Sequence, residues 1–262
     1  VSRRGRVPWL AVLLALVGLA FIALPLIGLI QQVPWGNLWT DLKTPEATAA
    51  LRLSVICSLW ATALSVLFGV PLAWVLARVS FPGRAIVRAI VLLPLVVPPV
   101  VGGVGLFYAF GLQGLVGQYL YRWFDIQLTY STAAVVMAET FVAMPFLVIT
   151  VEAALRSMDR RYEDAAATLG AGPITVARRV TLPMILPGLI AGAALAWARA
   201  LGEFGATITF AGNIQGRTQT TPLAVYLLLE SKPEVAIGLS VVLLAVCVAV
   251  LALLRERWLG VG

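Results

Sequence analysis

Six apolar runs, each near or above the length of a membrane crossing, make up half of this 262-residue chain. They are Trp9–Ile30, Leu53–Leu76, Ala89–Phe110, Thr132–Ala154, Met184–Phe204 and Ala236–Leu254. About 20 residues rising 1.5 Å each cover the roughly 30 Å of hydrocarbon in a bilayer. Inside that layer a segment must satisfy its own backbone hydrogen bonds, so the expected form is a bundle of helices. The runs are apolar around their whole circumference, as helices that face lipid or one another are. Composition agrees, with 61% of residues hydrophobic and 12% charged, against about 45–50% and 25% in soluble domains. The expectation is an all-α polytopic membrane protein, a single domain over residues 1–262 with six transmembrane helices, and no room for a soluble catalytic domain.

Six spans put both termini on one side. That side would carry Arg3, Arg4, Arg6, Arg78, Arg84, Arg88, Arg156, Arg160, Arg161, Arg178, Arg179, Arg255 and Arg257, thirteen basic residues, against Lys43, Arg122, Arg217 and Lys232 on the other. Cytoplasmic loops collect Lys and Arg, so both termini are expected in the cytoplasm. The same distribution accounts for the net charge of +7 without any nucleic acid. Ser2-Arg3-Arg4 could open a twin-arginine export signal, but the 22-residue run behind it is too long for a signal core and ends without a small-x-small cleavage site. An uncleaved first span is expected. Trp9, Trp35, Trp39, Trp123 and Trp258 fall near span ends, where indoles anchor at the interface.

With no His in the chain, histidine acid–base chemistry and histidine metal sites are excluded. Cys57 and Cys247 lie in apolar runs and read as small hydrophobes. A short run, Leu223–Leu229, follows Thr221-Pro222, a good helix start, and is read as an interfacial or re-entrant helix.

The longest loop on the basic side, residues 156–183, has its own organisation. Helix formers run from Asp159 to Leu169, Gly170 stands where a C-cap belongs, and Gly172-Pro173 restarts the chain for a second short helix over Ile174–Val180 before Leu182-Pro183 leads into the fifth span. Two short helices with small residues at Ala165, Ala166 and Ala167 make either an ordinary surface hairpin or a knob that a partner's groove could clasp.

The run Glu163-Asp164-Ala165-Ala166-Ala167-Thr168-Leu169-Gly170, followed after nine residues by Val180-Thr181-Leu182-Pro183, resembles the EAA loop of ABC importer permeases. Asp164 takes the Glu position and Val180 the Ile position of that motif, while Ala165, Ala166, Gly170, Leu182 and Pro183 match it. Phe81-Pro82-Gly83-Arg84, the Leu93–Pro99 stretch with Gly102-Gly103, Gly202-Glu203-Phe204-Gly205-Ala206-Thr207, Phe210–Asn213 and Thr218–Leu223 are similar to segments of the molybdate and tungstate permeases. Sulfate and thiosulfate permeases share a similar Glu-Phe-Gly signature. The resemblance implies a type I ABC importer permease (MetI-like) fold with two short cytoplasmic coupling helices, in a bacterial or archaeal inner membrane. It implies a homodimer with a second permease copy, two ABC ATPase subunits and an extracytoplasmic oxyanion-binding protein. It also implies that Glu163, Asp164, Ala165, Ala166, Gly170, Leu182 and Pro183 dock the ATPase. No G-x-x-x-x-G-K-[ST] loop occurs in the chain, so ATP and Mg are expected on the ATPase subunits and no cofactor on this one.

Charge and backbone breaks at membrane depth point to a pathway or gate. Arg199 and Glu203, four apart on the fifth span, can share a face as an ion pair or serve the pathway. A bare carboxylate would repel an oxyanion, so Glu203 is expected to shape the gate rather than bind the anion. Glu139 is expected to hydrogen-bond a neighbouring helix. Pro98-Pro99, with Gly102, Gly103 and Gly105, should interrupt the third span and face the bundle interior. Gly188 and Gly192 permit close helix contact. The Thr207–Thr221 stretch, with Thr209, Asn213, Gln215, Thr218, Gln219 and Thr220, is either a solvated outer loop or a set of neutral donors for a tetrahedral dianion. The candidate pathway residues are thus Pro98, Pro99, Gly102, Arg199, Glu203, Phe204, Thr207 and Thr209. Two other classes stay open: a secondary transporter or channel, which leaves the knob unexplained, and an intramembrane enzyme, for which Arg199–Glu203 is the sole close pair at depth.

Overall fold

The computed structural model describes residues 9–258, with side chains described as far as residue 252. Arg3, Arg4 and Arg6 lie outside the described residues, as do the side chains of Leu254, Arg255, Arg257 and Trp258. The described residues form α1 (Trp9–Gln31), α2 (Leu38–Leu42), α3 (Pro45–Arg78), α4 (Arg84–Val96), α5 (Pro99–Phe110), α6 (Gly117–Phe124), α7 (Thr132–Ser157), α8 (Arg161–Thr168), α9 (Pro173–Val176), α10 (Leu182–Leu201), α11 (Gly205–Phe210), α12 (Thr221–Ser231) and α13 (Pro233–Trp258), with no strand among them.

Helix starts follow local chemistry. Thr44 caps α3 by accepting from the Ala47 amide at 3.4 Å, and Pro45 fills the first helical position. Ser131 caps α7 by accepting from the Ala134 amide at 3.2 Å. At 34 residues, α3 is about 51 Å long, longer than the hydrocarbon layer is thick.

The centre of the bundle is α3, α7 and α10. Gly69 lies against Leu147 and Val148, Cys57 clusters with Ala134, Val135 and Ala138, and Leu76 and Ala77 share a cluster with Val151 and Leu155, so α3 and α7 run parallel. Gly188 faces Ala154 and Gly192 faces Thr150, so α10 runs antiparallel to α7. Small residues line these contacts, including Ala61, Ala73, Ala143, Ala196 and Ala200, because dispersion between closely approaching backbones holds helices together where lipid is as apolar as the core.

Parallel α3 and α7 require the chain between them to cross back, and α4 with α5 makes that crossing in two pieces. Arg84 donates to the Leu76 carbonyl and Arg88 pairs with Glu152 at one end. Gly102 touches Phe141, and Leu106 joins the cluster around Cys57 and Ala134 nearer the other. The interruption expected in the Ala89–Phe110 span is there and is sharp: the two pieces bend by 119° between Val96 and Pro99. Pro98 lacks an amide and Pro99 forces the residue before it out of the helical region, which leaves Pro98 extended at ψ 133° and Val97 at ψ 131°. Among the described residues five helices are long and apolar enough to cross a membrane, and six crossings result when this bent pair counts as one.

Two further differences matter below. The second loop helix does not stop before Leu182-Pro183. Instead α9 and α10 join into one rod of 29 residues through a π-helical turn, Ala177–Thr181. The wider turn makes room for the Pro183 ring, which would clash with the carbonyl four residues back. The fifth span also ends at Leu201 rather than Phe204, so Glu203 lies past the helix.

Candidate functional site

Two regions hold the sequence-derived candidates. The first lies where α10 ends. Glu203, 1% exposed, sends Oε2 to within 2.6 Å of Nη2 of Arg199 and accepts the Ala206 amide on Oε1 at 2.8 Å. It therefore neutralises the arginine and caps the first turn of α11 together. The pair was expected on one helix face; Gly202 breaks the helix between them, and the contact survives because Glu203 folds back on the last turn. Arg199 is the more open partner, its side chain 27% exposed. Phe204 packs against Tyr226 of α12, with ring centroids 5.4 Å apart and planes tilted by 58°.

From here α11 packs on α5 almost backbone to backbone. A methyl group built on Gly103 would fall on the Thr209 hydroxyl and 2.7 Å from the Ala206 carbonyl oxygen, and one on Gly205 would sit 3.0 Å from Pro99 Cβ. Thr209 donates within its own helix, to the Gly205 and Ala206 carbonyls at 2.9 and 3.2 Å. Gly102 faces Phe141 on α7. Pro98, Pro99, Gly102, Phe204, Thr207, Thr209 and the Arg199–Glu203 pair thus surround the junction of the two broken segments. The reciprocal pair Gly103 and Gly205 was not singled out from the sequence as the point of contact, although Gly103 stands in the glycine run after the prolines.

Two expectations for this region are corrected. Glu139 is buried at 1% exposure, but its Oε2 has no hydrogen-bond partner among the described residues. The stretch to Thr221 is a solvated loop only in part: Ile214, Gln215, Gly216 and Arg217 are exposed, while Thr207, Thr218, Gln219, Thr220 and Thr221 are buried. Of the irregular backbone, the part leading into α12, Thr218 to Thr220, is the part covered by protein. The Thr221 amide donates to Ser54 Oγ at 2.7 Å, and Trp197 Nε1 donates to Ser58 Oγ at 3.0 Å. Ser54 and Ser58, one turn apart on α3, hold the start of α12 and the end of α10. Their spacing inside an apolar run was the available signal.

The second region is the loop between α7 and α10. Helix α8 ends in a Schellman motif: Gly170 adopts φ +85°, its amide donates to Ala167, and the Ala171 amide donates to Ala166, both at 3.0 Å. Gly172 then precedes Pro173 at the first position of α9, as the sequence predicts. Asp164, Ala165, Leu169 and Ile174 are exposed, Leu169 at 89% and Ile174 at 75%. Leu169 and Ile174 are the most exposed large apolar side chains of the loop; neither stands among the candidate docking residues read from the sequence. Glu163 points inward, to Arg78 and Thr181. Leu182 lines an apolar groove with Trp74, Val75 and Ile185, and Pro183 sits at the root of α10, so neither belongs to the tip.

The charges segregate along the bundle. Arg78, Arg84, Arg88, Arg156 and Arg160 gather at the knob end, where Glu152 holds both Arg88 and Arg156. Lys232, paired with Glu46 at 2.9 Å, and Arg217, whose carbonyl accepts from Thr132, lie at the other.

Residues 69–261 match the family described as binding-protein-dependent transport system inner membrane component. The chain is 50% identical over 250 residues, 95% of its length and 91% of the relative's, to the molybdenum transport system permease protein ModB of Mycobacterium tuberculosis. It is 38% identical to the sulfate transport system permease protein CysT of Salmonella typhimurium, covering 80% of this chain and 76% of that one. Its fold is similar to a chain in the crystal structure of a bacterial ABC transporter involved in the import of the acidic polysaccharide alginate, with a TM-score of 0.69 and 20% identity over 95% and 96% of the two chains.

Proposed function

The chain belongs to the family of binding-protein-dependent transport system inner membrane components, and from that premise we propose that it is the permease subunit of an ATP-driven importer that moves molybdate or tungstate into the cytoplasm by alternating access. Two copies form the pathway, two ABC ATPase subunits that hold ATP and Mg dock on the exposed knobs, and an extracytoplasmic binding protein delivers the oxyanion to the opposite end. The knob end, with its cluster of arginines, is the cytoplasmic side, and both termini lie there.

The observation that carries the substrate is the 50% identity to a molybdenum permease over nearly the whole chain, against 38% to a sulfate permease. The site chemistry is compatible. Glu203 is held by Arg199, so its carboxylate is not bare toward an incoming dianion. The test is reconstitution in proteoliposomes with candidate ATPase and binding-protein subunits from the same genome, following ATP hydrolysis and uptake as molybdate, tungstate and sulfate are titrated. Stimulation by low molybdate or tungstate with sulfate inert is the expected result. Stimulation by sulfate alone would move the substrate, and failure to recruit any ATPase would overturn the importer.

Gly170 gives a second test. Nothing lies within 4 Å of a Cβ built there, so a substitution meets no clash, but its φ of +85° is strained for any L side chain by about 1–2 kcal/mol. Gly170→Gln is expected to distort the knob and reduce uptake severely while membrane abundance stays at the parental level. Normal uptake by that variant would count against docking through this loop.

A further inference from the structure

Glu163 precedes the acidic position of the loop motif, and its geometry differs from that of its neighbour. Asp164 is exposed at the surface of the knob. Both carboxylate oxygens of Glu163 are engaged within its own chain. Oε2 lies 3.2 Å from Nε of Arg78, the last residue of α3, and Oε1 accepts from the Thr181 hydroxyl at 2.7 Å. These partners are well covered: the Arg78 side chain is 9% exposed, Thr181 is 4% exposed and the Glu163 side chain is 18% exposed. Thr181 ends the π-helical turn beneath α10. One side chain on α8 therefore joins the end of one central helix to the root of another.

Little else fixes α8. None of its residues is buried, and a cleft of about 420 Å³, lined by Trp74, Arg160, Ala167 and Ala171 among others, separates it from α3. Apolar packing does not fill that gap, so a load applied at Leu169 or Ile174 must pass through the covalent loop and through polar contacts. Arg160, donating to the Ala77 carbonyl at 3.4 Å, is a second and weaker tie. Apolar contacts let helices slide because they have no direction. The Thr181–Glu163 hydrogen bond has a direction, and the Arg78–Glu163 ion pair, an attraction by charge in which Arg78 Nε makes no aligned hydrogen bond, holds the same carboxylate from the other side.

We infer that Glu163 is a positioning residue of transport: a strut that locks the knob to α3 and to the α10 root, so that movement imposed on the knob by an ATPase reaches both helices together. This rests on reading the chain as a permease driven by a separate ATPase. It reverses the docking role that the motif assigns to Glu163 and leaves the outward contact to Asp164, Leu169 and Ile174. The coupling between knob and bundle depends on Glu163 through two arms, one ionic and one hydroxyl.

The experiment compares the reconstituted complex carrying the parental chain with Glu163→Ala, Glu163→Gln, Thr181→Val and the exchange R78E/E163R. Copurified ATPase, ATP hydrolysis and molybdate uptake are measured for each. Glu163→Ala is expected to recruit the ATPase normally and to hydrolyse ATP, while uptake per ATP falls about tenfold, within the range typical of coupling between sites. Glu163→Gln, which still accepts from Thr181 but loses the ionic arm, and Thr181→Val, which does the converse, should each fall between. The exchange should recover part of the loss, which a contact with the ATPase would not do. Loss of ATPase recruitment in Glu163→Ala without recovery by the exchange would overturn the strut in favour of docking. Unchanged uptake per ATP in Glu163→Gln and Thr181→Val would overturn it even if Glu163→Ala failed to fold. Failure of the parental chain to recruit an ATPase would instead overturn the reading on which the strut rests.

Discussion

Gly103→Val should abolish uptake while Gly105→Val, two residues along the same helix, leaves it close to the parental rate. The two glycines differ only in what lies beside them. A side chain on Gly105 meets nothing within 4 Å, whereas one on Gly103 falls on the Thr209 hydroxyl and within 2.8 Å of the backbone of Ala206. Backbone cannot rotate aside, so α5 must lift from α11. That movement separates the contact on which the two broken segments depend, and it carries Pro99 away from Gly205. Overpacking of this kind costs about 1–3 kcal/mol where side chains can adjust, and more is expected where they cannot. Uptake by membrane vesicles and thermal stability of the purified variants check it together. Equal behaviour of the two variants would show that transport does not require the close approach of α5 and α11.

The Arg199–Glu203 pair carries the second large effect. Arg199→Ala leaves a carboxylate at 1% exposure facing the Ala206 amide alone, and breaking a buried pair from one side typically costs about 3–5 kcal/mol. Glu203→Gln keeps the acceptor for that amide and strands the arginine, which is less covered and should suffer less. The double variant R199A/E203Q removes both charges, so it should be more stable than Arg199→Ala alone. Thermal unfolding of all three measures the pair. Uptake by the double variant then separates two roles: recovery with stability makes the pair a structural clamp, and continued loss in a stable protein assigns the arginine's charge to the passing anion.

The crossings and the knob were legible because their determinants are local. Apolar length marks a span, and Gly170 with Pro173 marks the end of one short helix and the start of the next. The break in the third span was legible as an interruption at Pro98-Pro99, but the 119° bend was not, since it depends on what α5 packs against. The segment from Thr207 to Thr221 is legible in part: Ile214 to Arg217 form the exposed turn its composition suggests, but Thr218 to Thr221 are buried. Inside a bundle hydroxyls and amides are tolerated when backbone and neighbouring serines satisfy them, as Ser54 does for Thr221. The pairing of Glu163 with Arg78 joins positions far apart in the chain, and only the parallel arrangement of α7 and α3 brings their ends together. The loop motif, which is local, carries no sign of these contacts within the chain.

The π-helical turn beneath Pro183 sets a phase as well as a path. It carries more residues per turn than the helix on either side, so it fixes the angle at which the knob faces outward relative to the side of α10 that presents Arg199. Deleting one residue within Ala177–Thr181 would shorten the rod by little yet swing the knob by roughly 100° about its axis, turning Leu169 and Ile174 toward a different neighbour. The azimuth of the contact surface is thus written into five residues at the root of the rod, away from the Arg199 end of α10.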